Sequence, residues 1–275
     1  MRIPEALGWL ATPALLALLA VPAVAQGETG FLRGQGKLDV SPSYSLDLYD
    51  EVRLENPVEE FDDGERAILG LYAAYGLRDD LDLVFNAAYT SAEADGEPAF
   101  DDESDLQDAS LQAKWRVHQR VLGAGSFQWL LAPGVRLPLT DYEDFSSNPL
   151  NGLGEGDTVL LGRTILHYDW KSSYAALETG YDHRNGPLDD EIPLHLSLGT
   201  TYGRVTYQAF VTSLYALGDE ISNPRLSDER DGYLRVGLGA YVRVSERFGL
   251  SLGVRHSDDG TNESDGFSLG TVFRL

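Results

Sequence analysis

The chain has 275 residues, a formal net charge of -23 and no cysteine. A charge of that sign argues against nucleic acid or an anionic surface as partner, and the absence of cysteine rules out a disulfide-stapled fold. Fourteen tyrosines and 29 glycines within a chain that is 43% hydrophobic suit antiparallel strands joined by tight turns.

Residues 1–25 have the organisation of a secretory signal. Met1 and Arg2 give a short positive start, Leu7 to Ala20 is apolar, and Ala23-Val24-Ala25 supplies the small-x-small site that predicts cleavage after Ala25. The apolar stretch is too short to span a bilayer as a helix, and no later segment approaches ~20 uninterrupted apolar residues. With no cysteine after the cleavage point, a lipid anchor is excluded. Residues 26–36 are expected to form a short, loosely ordered lead-in, with Gly34-Gln35-Gly36 as a simple turn.

From residue 37 to residue 275 side chains alternate with a period of two. In 37–49, Leu38, Val40, Tyr44, Leu46 and Leu48 oppose Asp39, Ser41, Ser43, Ser45 and Asp47. In 106–117, Ala109, Leu111, Ala113, Trp115 and Val117 oppose Asp108, Ser110, Gln112, Lys114 and Arg116; in 234–244 a Leu/Val face opposes Arg235, Gly237, Gly239, Tyr241 and Arg243. The pattern predicts strands at 37–49, 65–76, 81–90, 106–117, 126–137, 157–170, 173–181, 192–202, 205–215, 232–244, 248–256 and 266–275. Most are near the ~9–11 residues that a tilted strand needs to cross a bilayer. The segment 157–170 is ambiguous, because Val159, Leu161 and Ile165 share a face with Arg163 and His167; a bulge or phase slip is one explanation.

Connections alternate between short turns and long loops, and the long loops collect charge of one sign. Loops 50–64, 91–105, 138–157, 182–191, 216–231 and 257–265 hold 32 of the 44 acidic residues and only four of the 21 basic ones. Short turns on one side and long loops on the other are the outer-membrane arrangement. The sequence therefore predicts an all-β, transmembrane, antiparallel up-and-down β-barrel of about twelve strands, its short turns periplasmic and its long acidic loops extracellular. Arg66, Arg116, Arg136, Arg163, Arg235, Arg243, Arg255 and Arg274 are phased inward, since each would cost roughly 2–4 kcal/mol facing lipid at the midplane. Tyr75, Tyr89, Trp115, Trp129, Tyr168, Trp170, Tyr181, Tyr202, Tyr207 and Tyr215 fall near strand ends on the outward phase, as interfacial girdles do.

Three stretches carry a resemblance. Tyr75-Gly76-Leu77-Arg78-Asp79-Asp80-Leu81-Asp82-Leu83, Asp105 to Arg116, and Pro133-Gly134-Val135-Arg136-Leu137-Pro138-Leu139-Thr140-Asp141 are similar to turns and strands of the outer-membrane proteins named for the meta-pathway of phenol degradation. Gly152–Gly162 resembles that family's glycine-rich re-entry into the next strand. The resemblance covers about 65–170, with departures at Asp105, at Leu139-Thr140 and at the final Leu275, where most such barrels end on an aromatic residue. It implies an outer-membrane barrel that passes small molecules, hydrophobic or aromatic compounds among them.

Asp182-His183-Arg184-Asn185-Gly186 is similar to the signature of outer membrane phospholipase A, but the nucleophile position holds Arg184 or Asn185. In Arg255-His256-Ser257 the His and Ser are adjacent on a strand and so point to opposite faces. No enzymatic activity and no cofactor or metal ion is expected. Asp101-Asp102-Glu103, Asp62-Asp63-Gly64 and Asp258-Asp259-Gly260 supply oxygen ligands without the spacing of a calcium loop. Their plainer reading is a solvated rim, with cation bridging to lipopolysaccharide beside it.

The candidate lumen-lining residues are Asp82, Asn86, Gln112, Lys114, Arg116, Gln128, Arg136, Glu178, Gln208, Arg235, Arg243 and Arg255. Two readings stay open: a polar, net-basic pore, or an interior cross-linked and plugged by Arg–carboxylate pairs. The expected protein is a monomer in a Gram-negative outer membrane, inserted by the barrel-assembly machinery and surrounded by lipid and lipopolysaccharide. Its expected function is passive passage of a small-molecule solute, the alternatives being a non-conducting surface barrel and a surface lipid hydrolase.

Overall fold

The computed structural model describes residues 31–55, 58–61, 64–94, 103–140, 157–185, 189–217, 232–258 and 262–275. Within them the chain forms β1 (Leu38–Glu55), β2 (Val58–Phe61), β3 (Gly64–Arg78), β4 (Leu81–Ala94), β5 (Glu103–Leu106), β6 (Ala109–Leu122), β7 (Gly125–Leu137) and β8 (Val159–Trp170). It continues with β9 (Ser173–Arg184), β10 (Glu191–Tyr202), β11 (Val205–Ala216), β12 (Gly232–Arg243), β13 (Phe248–Asp258) and β14 (Asn262–Arg274). All neighbours are antiparallel, and β14 pairs back onto β1 to close the sheet. Since β2 only extends the tip of β1, and β5 and β6 are two parts of one strand along β4, the closed wall has twelve strands. Closure runs to the last residue: Leu38 N–H donates to the Leu275 carbonyl at 3.1 Å and Leu275 N–H to the Leu38 carbonyl at 2.8 Å.

The period-two pattern explains why this sheet curls. On β12, Leu234, Val236 and Leu238 are exposed while Tyr241 is buried; on β6, Leu111 and Trp115 are exposed while Lys114 is buried. An apolar exterior around buried polar groups inverts a water-soluble protein, and it suits a wall whose solvent is lipid. Nine of the ten predicted girdle aromatics are exposed, and Tyr168 is half-buried with its hydroxyl donating to the Leu122 carbonyl at 3.0 Å. The tight turns use left-handed backbone: Gly123 and Gly203 lie at φ 59° and 63°, and Lys171 adopts φ 56°.

Four expectations change. Several strands run further than the pattern suggested, so that β1 and β2 form a hairpin inside the segment assigned to the first long loop. The strand expected at 106–117 is interrupted after Leu106 and resumes at Ala109. The ambiguous strand carries no bulge: β8 pairs without a shift from Val159 to Trp170 on both sides, and irregularities fall instead at Tyr49/Glu51, Gly76/Arg78 and Arg116/His118. The apolar face of β8 therefore points inward with Arg163 and His167, and Val159, Leu161 and Ile165 are buried.

The fourth correction concerns the lead-in, whose described part, Phe31–Gly36, is ordered and folded back inside the barrel. Gly34 and Gly36, at φ 85° and 75°, reverse the chain just before β1. Leu32 then packs against Leu130, Ala132 and Ile165, and Phe31 reaches His167 and Tyr174. An apolar inner stripe on β7 and β8 gives these two side chains a place to bury.

Candidate site in the barrel interior

Two ion-pair systems brace the inner wall. On one side the Arg255 guanidinium holds Asp47 with two hydrogen bonds, at 2.7 and 2.6 Å, spanning from β13 to β1. This pair passes directly over Gly266 on β14, where a Cβ would lie 2.1 Å from Asp47 Oδ1. On the other side the Arg163 guanidinium holds both oxygens of Asp182, Arg136 approaches the same carboxylate at 3.7 Å, and Arg163 lies 3.6 Å from Glu178. Further along, Arg184 pairs with Glu191 at 2.7 Å. Such charges stay inside only because each is matched; removing one partner from a buried pair typically costs about 3–5 kcal/mol.

The other predicted interior residues take distinct places. Asn86 donates to Ser110 at 3.3 Å, and Arg116 reaches Gln128 at 3.4 Å and the Asp79 carbonyl at 3.0 Å. Gln128 donates to Asp169 at 3.4 Å, and Arg235 donates to Ser257 at 2.8 Å. Lys114 and Gln208 are buried, and Gln112 is half-buried with its stem against Gly134. Arg243 is exposed near the short-turn end of β12.

Asp82 is fully buried, and its use was not foreseen: Oδ2 accepts the backbone N–H of Arg33 at 2.9 Å, while Oδ1 has no hydrogen-bond partner among the described residues. Around it the N-terminal segment is held at several points. The Arg33 side chain pairs with Asp39 at 3.2 Å, Gln35 N–H donates to Asp79 at 3.1 Å, and Gly36 N–H donates to the Gly76 carbonyl at 2.8 Å. Gly76 is shaped to that approach, since a Cβ there would sit 1.9 Å from the Gly34 carbonyl oxygen.

At the inner end of the segment three rings meet. His167 and Tyr174 stack with centroids 5.5 Å apart and planes 14° apart, and Phe31 meets both edge-on at 4.7 and 5.2 Å. Gly199 on β10 makes room for this arrangement, because a Cβ would lie 2.1 Å from the Tyr174 ring. Asp39, Asp47, Asp182, Arg33, Phe31, His167 and Tyr174 were absent from the sequence-derived set. For Asp39 and Asp47 the inward phase was legible from strand alternation, while Arg33 and Phe31 lie in a run too short to show one; the partners, on strands distant in sequence, were not legible for any of them.

The outward histidines belong to a different setting. His183 is exposed and lies 3.1 Å from Asp190, which also accepts from Tyr181 and from the Arg184 N–H at 2.8 Å. His256 faces Asp265 at 3.0 Å, while the adjacent Ser257 turns inward to Arg235. Neither histidine therefore shares a proton with a neighbouring hydroxyl. Asp62-Asp63, Asp101-Asp102 and Asp259-Gly260 lie outside the described residues, and among the described residues no cluster of metal-ligating side chains occurs.

A closed antiparallel wall, apolar outside and charged within, is the architecture of an outer-membrane β-barrel. The chain is similar in fold to an outer membrane channel from Pseudomonas putida F1, with a TM-score of 0.70 and 15% identity over 92% of this chain and 100% of that one. It is also similar to the NanC porin, with a TM-score of 0.51 and 12% identity over 86% of this chain and 100% of that one. No protein-family model matches the chain, and no curated protein matches it in sequence.

Proposed function

We propose that the protein is an outer-membrane channel for small solutes, with its N-terminal segment folded into the lumen as a displaceable constriction. The observation that carries this reading is the interior itself. Asp47, Asp82, Lys114, Asp182 and Gln208 are buried on the inner face, the polar lining that water-filled outer-membrane barrels carry. Buried charge is expensive to keep, and a hydrated path for polar solutes gives it a use.

The segment is held by contacts that each contribute modestly, and it covers groups that it leaves unsatisfied. Asp82 Oδ1 accepts no hydrogen bond among the described residues, a deficit worth about 1–3 kcal/mol in the closed state that water entry would relieve. Arg136, Arg163, Arg235 and Arg255 would then set selectivity from the wall, and Asn86, Gln112, Lys114, Arg116, Gln128, Glu178, Gln208 and Arg243 would line the remaining path. The signal at 1–25 would deliver the chain for insertion by the barrel-assembly machinery as a monomer, with lipopolysaccharide around its acidic rim. Membership of the phenol meta-pathway family rests on the resemblance of 65–170. The fold similarities support passage rather than catalysis as the activity class.

A second reading is favoured by the Arg255–Asp47 and Arg163–Asp182 pairs, which cross-link the wall and would suit a barrel that conducts nothing. Liposome swelling separates the two. The mature chain in liposomes should admit a pentose or a small amino acid at a rate raised severalfold by deleting residues 26–36. Equal, background rates for both folded proteins would favour the non-conducting barrel.

A further inference from the structure

In a chain with a net charge of -23, residues 109–140 contain no Asp or Glu, and this run spans the β6–β7 hairpin. It carries Lys114, Arg116, Arg120 and Arg136. Three of these bases follow strand phase into the lumen; Arg120 does not. The irregularity between Arg116 and His118 adds a residue to β6, and beyond it His118 pairs with Trp129 and Arg120 with Phe127. Trp129 is exposed on the lipid face, so the bulge turns His118 and Arg120 outward close to the short-turn end.

The surface around Arg120 is aromatic. Trp115, Trp129 and Trp170, the three tryptophans that follow the signal, all lie on β6, β7 and β8, whereas a plain girdle spreads its rings around the whole wall. Tyr168, in register with Phe127, stacks on Trp170 with centroids 5.6 Å apart. Hydrogen bonds from Trp129 to Thr164 at 2.7 Å and from Tyr168 to the Leu122 carbonyl at 3.0 Å fix two of these rings. The polar groups beside them are left over. Arg120, Lys171 and the Trp170 indole N–H belong to exposed residues and have no side-chain partner among the described residues. The nearby carboxylates are engaged elsewhere, Asp80 with Arg78 and Trp115, and Asp169 with Gln128. Arg120 on β6 and Lys171 at the end of β8 are two strand spacings apart across the wall, or ~10 Å.

We propose that this patch is a binding site for an anionic phospholipid of the periplasmic leaflet. Arg120, Lys171 and the Trp170 N–H hold its headgroup, and its upper acyl chains lie on Phe127, Trp129 and Tyr168. Long Arg and Lys side chains converge on one headgroup while their stems stay on apolar surface. The occupant is a lipid because the patch lies on the outer wall among lipid-facing rings, and an anionic one because its cations face no protein carboxylate. The acidic loops do not oppose it, since they lie across about 30 Å of hydrocarbon against a screening length of about 8 Å. Each cation in the headgroup layer favours anionic lipid by about fivefold, so the pair sets a ceiling of about thirtyfold. The inference goes beyond the channel reading and stands apart from it, because the outer wall is the same whether or not the barrel conducts.

Because every tryptophan of the mature chain lies on these three strands, their fluorescence reads the lipid beside the patch. The mature chain is folded into mixed bilayers of phosphatidylglycerol and phosphatidylethanolamine, with bromine on the acyl chains of one lipid at a time. Quenching by brominated phosphatidylglycerol should correspond to about tenfold enrichment over its bulk fraction, or more. Arg120→Gln combined with Lys171→Asn should reduce the enrichment to about twofold or less. Asparagine is chosen because it tolerates the left-handed backbone that Lys171 adopts at φ 56°. Arg247→Gln removes an exposed base between β12 and β13 and should leave the enrichment as in the wild type. Heat-modifiable migration checks that each variant is folded.

Equal quenching of the wild-type protein by the two brominated lipids would overturn the site, with no variant needed. Enrichment that survives the double substitution would overturn the roles of Arg120 and Lys171. Enrichment lost to the same extent in Arg247→Gln would overturn a discrete site, because the whole basic end would then be attracting the lipid.

Discussion

Gly76→Ala should release the N-terminal segment while leaving the wall intact. The new Cβ would lie 1.9 Å from the Gly34 carbonyl oxygen and 2.6 Å from its carbon, and both are backbone atoms that no side-chain rotation can move aside. Gly76 itself is not among the residues at positive φ, so alanine is compatible with its strand conformation. Overpacking of this kind costs about 1–3 kcal/mol where the surroundings can adjust. That is comparable with burying one Phe or Leu side chain, about 1.5–3 kcal/mol, and Phe31 and Leu32 are the two that the segment contributes. The closed population should therefore fall by about tenfold to a hundredfold, since each 1.4 kcal/mol is a factor of ten.

Because the chain has no cysteine, Leu32→Cys provides a single reporter. Its reaction with a water-soluble maleimide should be slow when Gly76 is present and about ten to a hundred times faster with Gly76→Ala. Heat-modifiable migration should stay unchanged between the two. Equal labelling rates in two folded barrels would refute the reasoning, because the segment would then not depend on contact with Gly76.

Other outcomes follow from the same coordinates. Arg255→Leu leaves Asp47 buried without its bidentate partner and should destabilise the barrel by about 3–5 kcal/mol in urea unfolding from lipid. Asp47→Asn in the same chain should recover most of that loss. Leu238, exposed on the outer face of β12, should not tolerate arginine: Leu238→Arg should cost about 2–4 kcal/mol and impair insertion, whereas Arg243→Leu should insert normally, as checked by membrane fractionation. Asp190 is held down to about 2 by the Tyr181 hydroxyl, the Arg184 N–H and His183. A depressed carboxyl contributes stability that is present above its ordinary value of 3.8 and lost as pH falls toward 2. Hydrogen exchange at the β9–β10 connection, corrected for intrinsic rate, should thus be flat from pH 7 to 5 and accelerate only below about 4. Asp190→Asn should show the accelerated exchange at every pH.

The wall of this protein is legible in its sequence because lipid enforces a strict rule on alternate residues. Leu234, Val236 and Leu238 could only have faced outward, and Arg235 only inward, so a count of alternations recovers both the strands and their phase. The rule weakens where the interior is itself apolar. On β8 the burial of Val159, Leu161 and Ile165 beside Arg163 looks like a phase error until Leu32 is found covering Ile165. Long-range pairing was hidden for a different reason. Asp47 and Arg255 are 208 residues apart, and nothing local in either strand says that closing β14 onto β1 brings them together. The lead-in was misjudged because Phe31 and Leu32 are too short a run to show any period; their role depends on a pocket built from other strands. The outward turn of His256 and the inward turn of Ser257, by contrast, needed nothing beyond strand geometry.

The central claim, a solute channel narrowed by its own N-terminal segment, is tested most directly by single-channel recording of the mature chain in a planar bilayer. The account predicts discrete openings from a mostly closed level, replaced by a larger and steadily open conductance when residues 26–36 are deleted. An absence of current from both proteins, each shown to be folded in the bilayer, would contradict it.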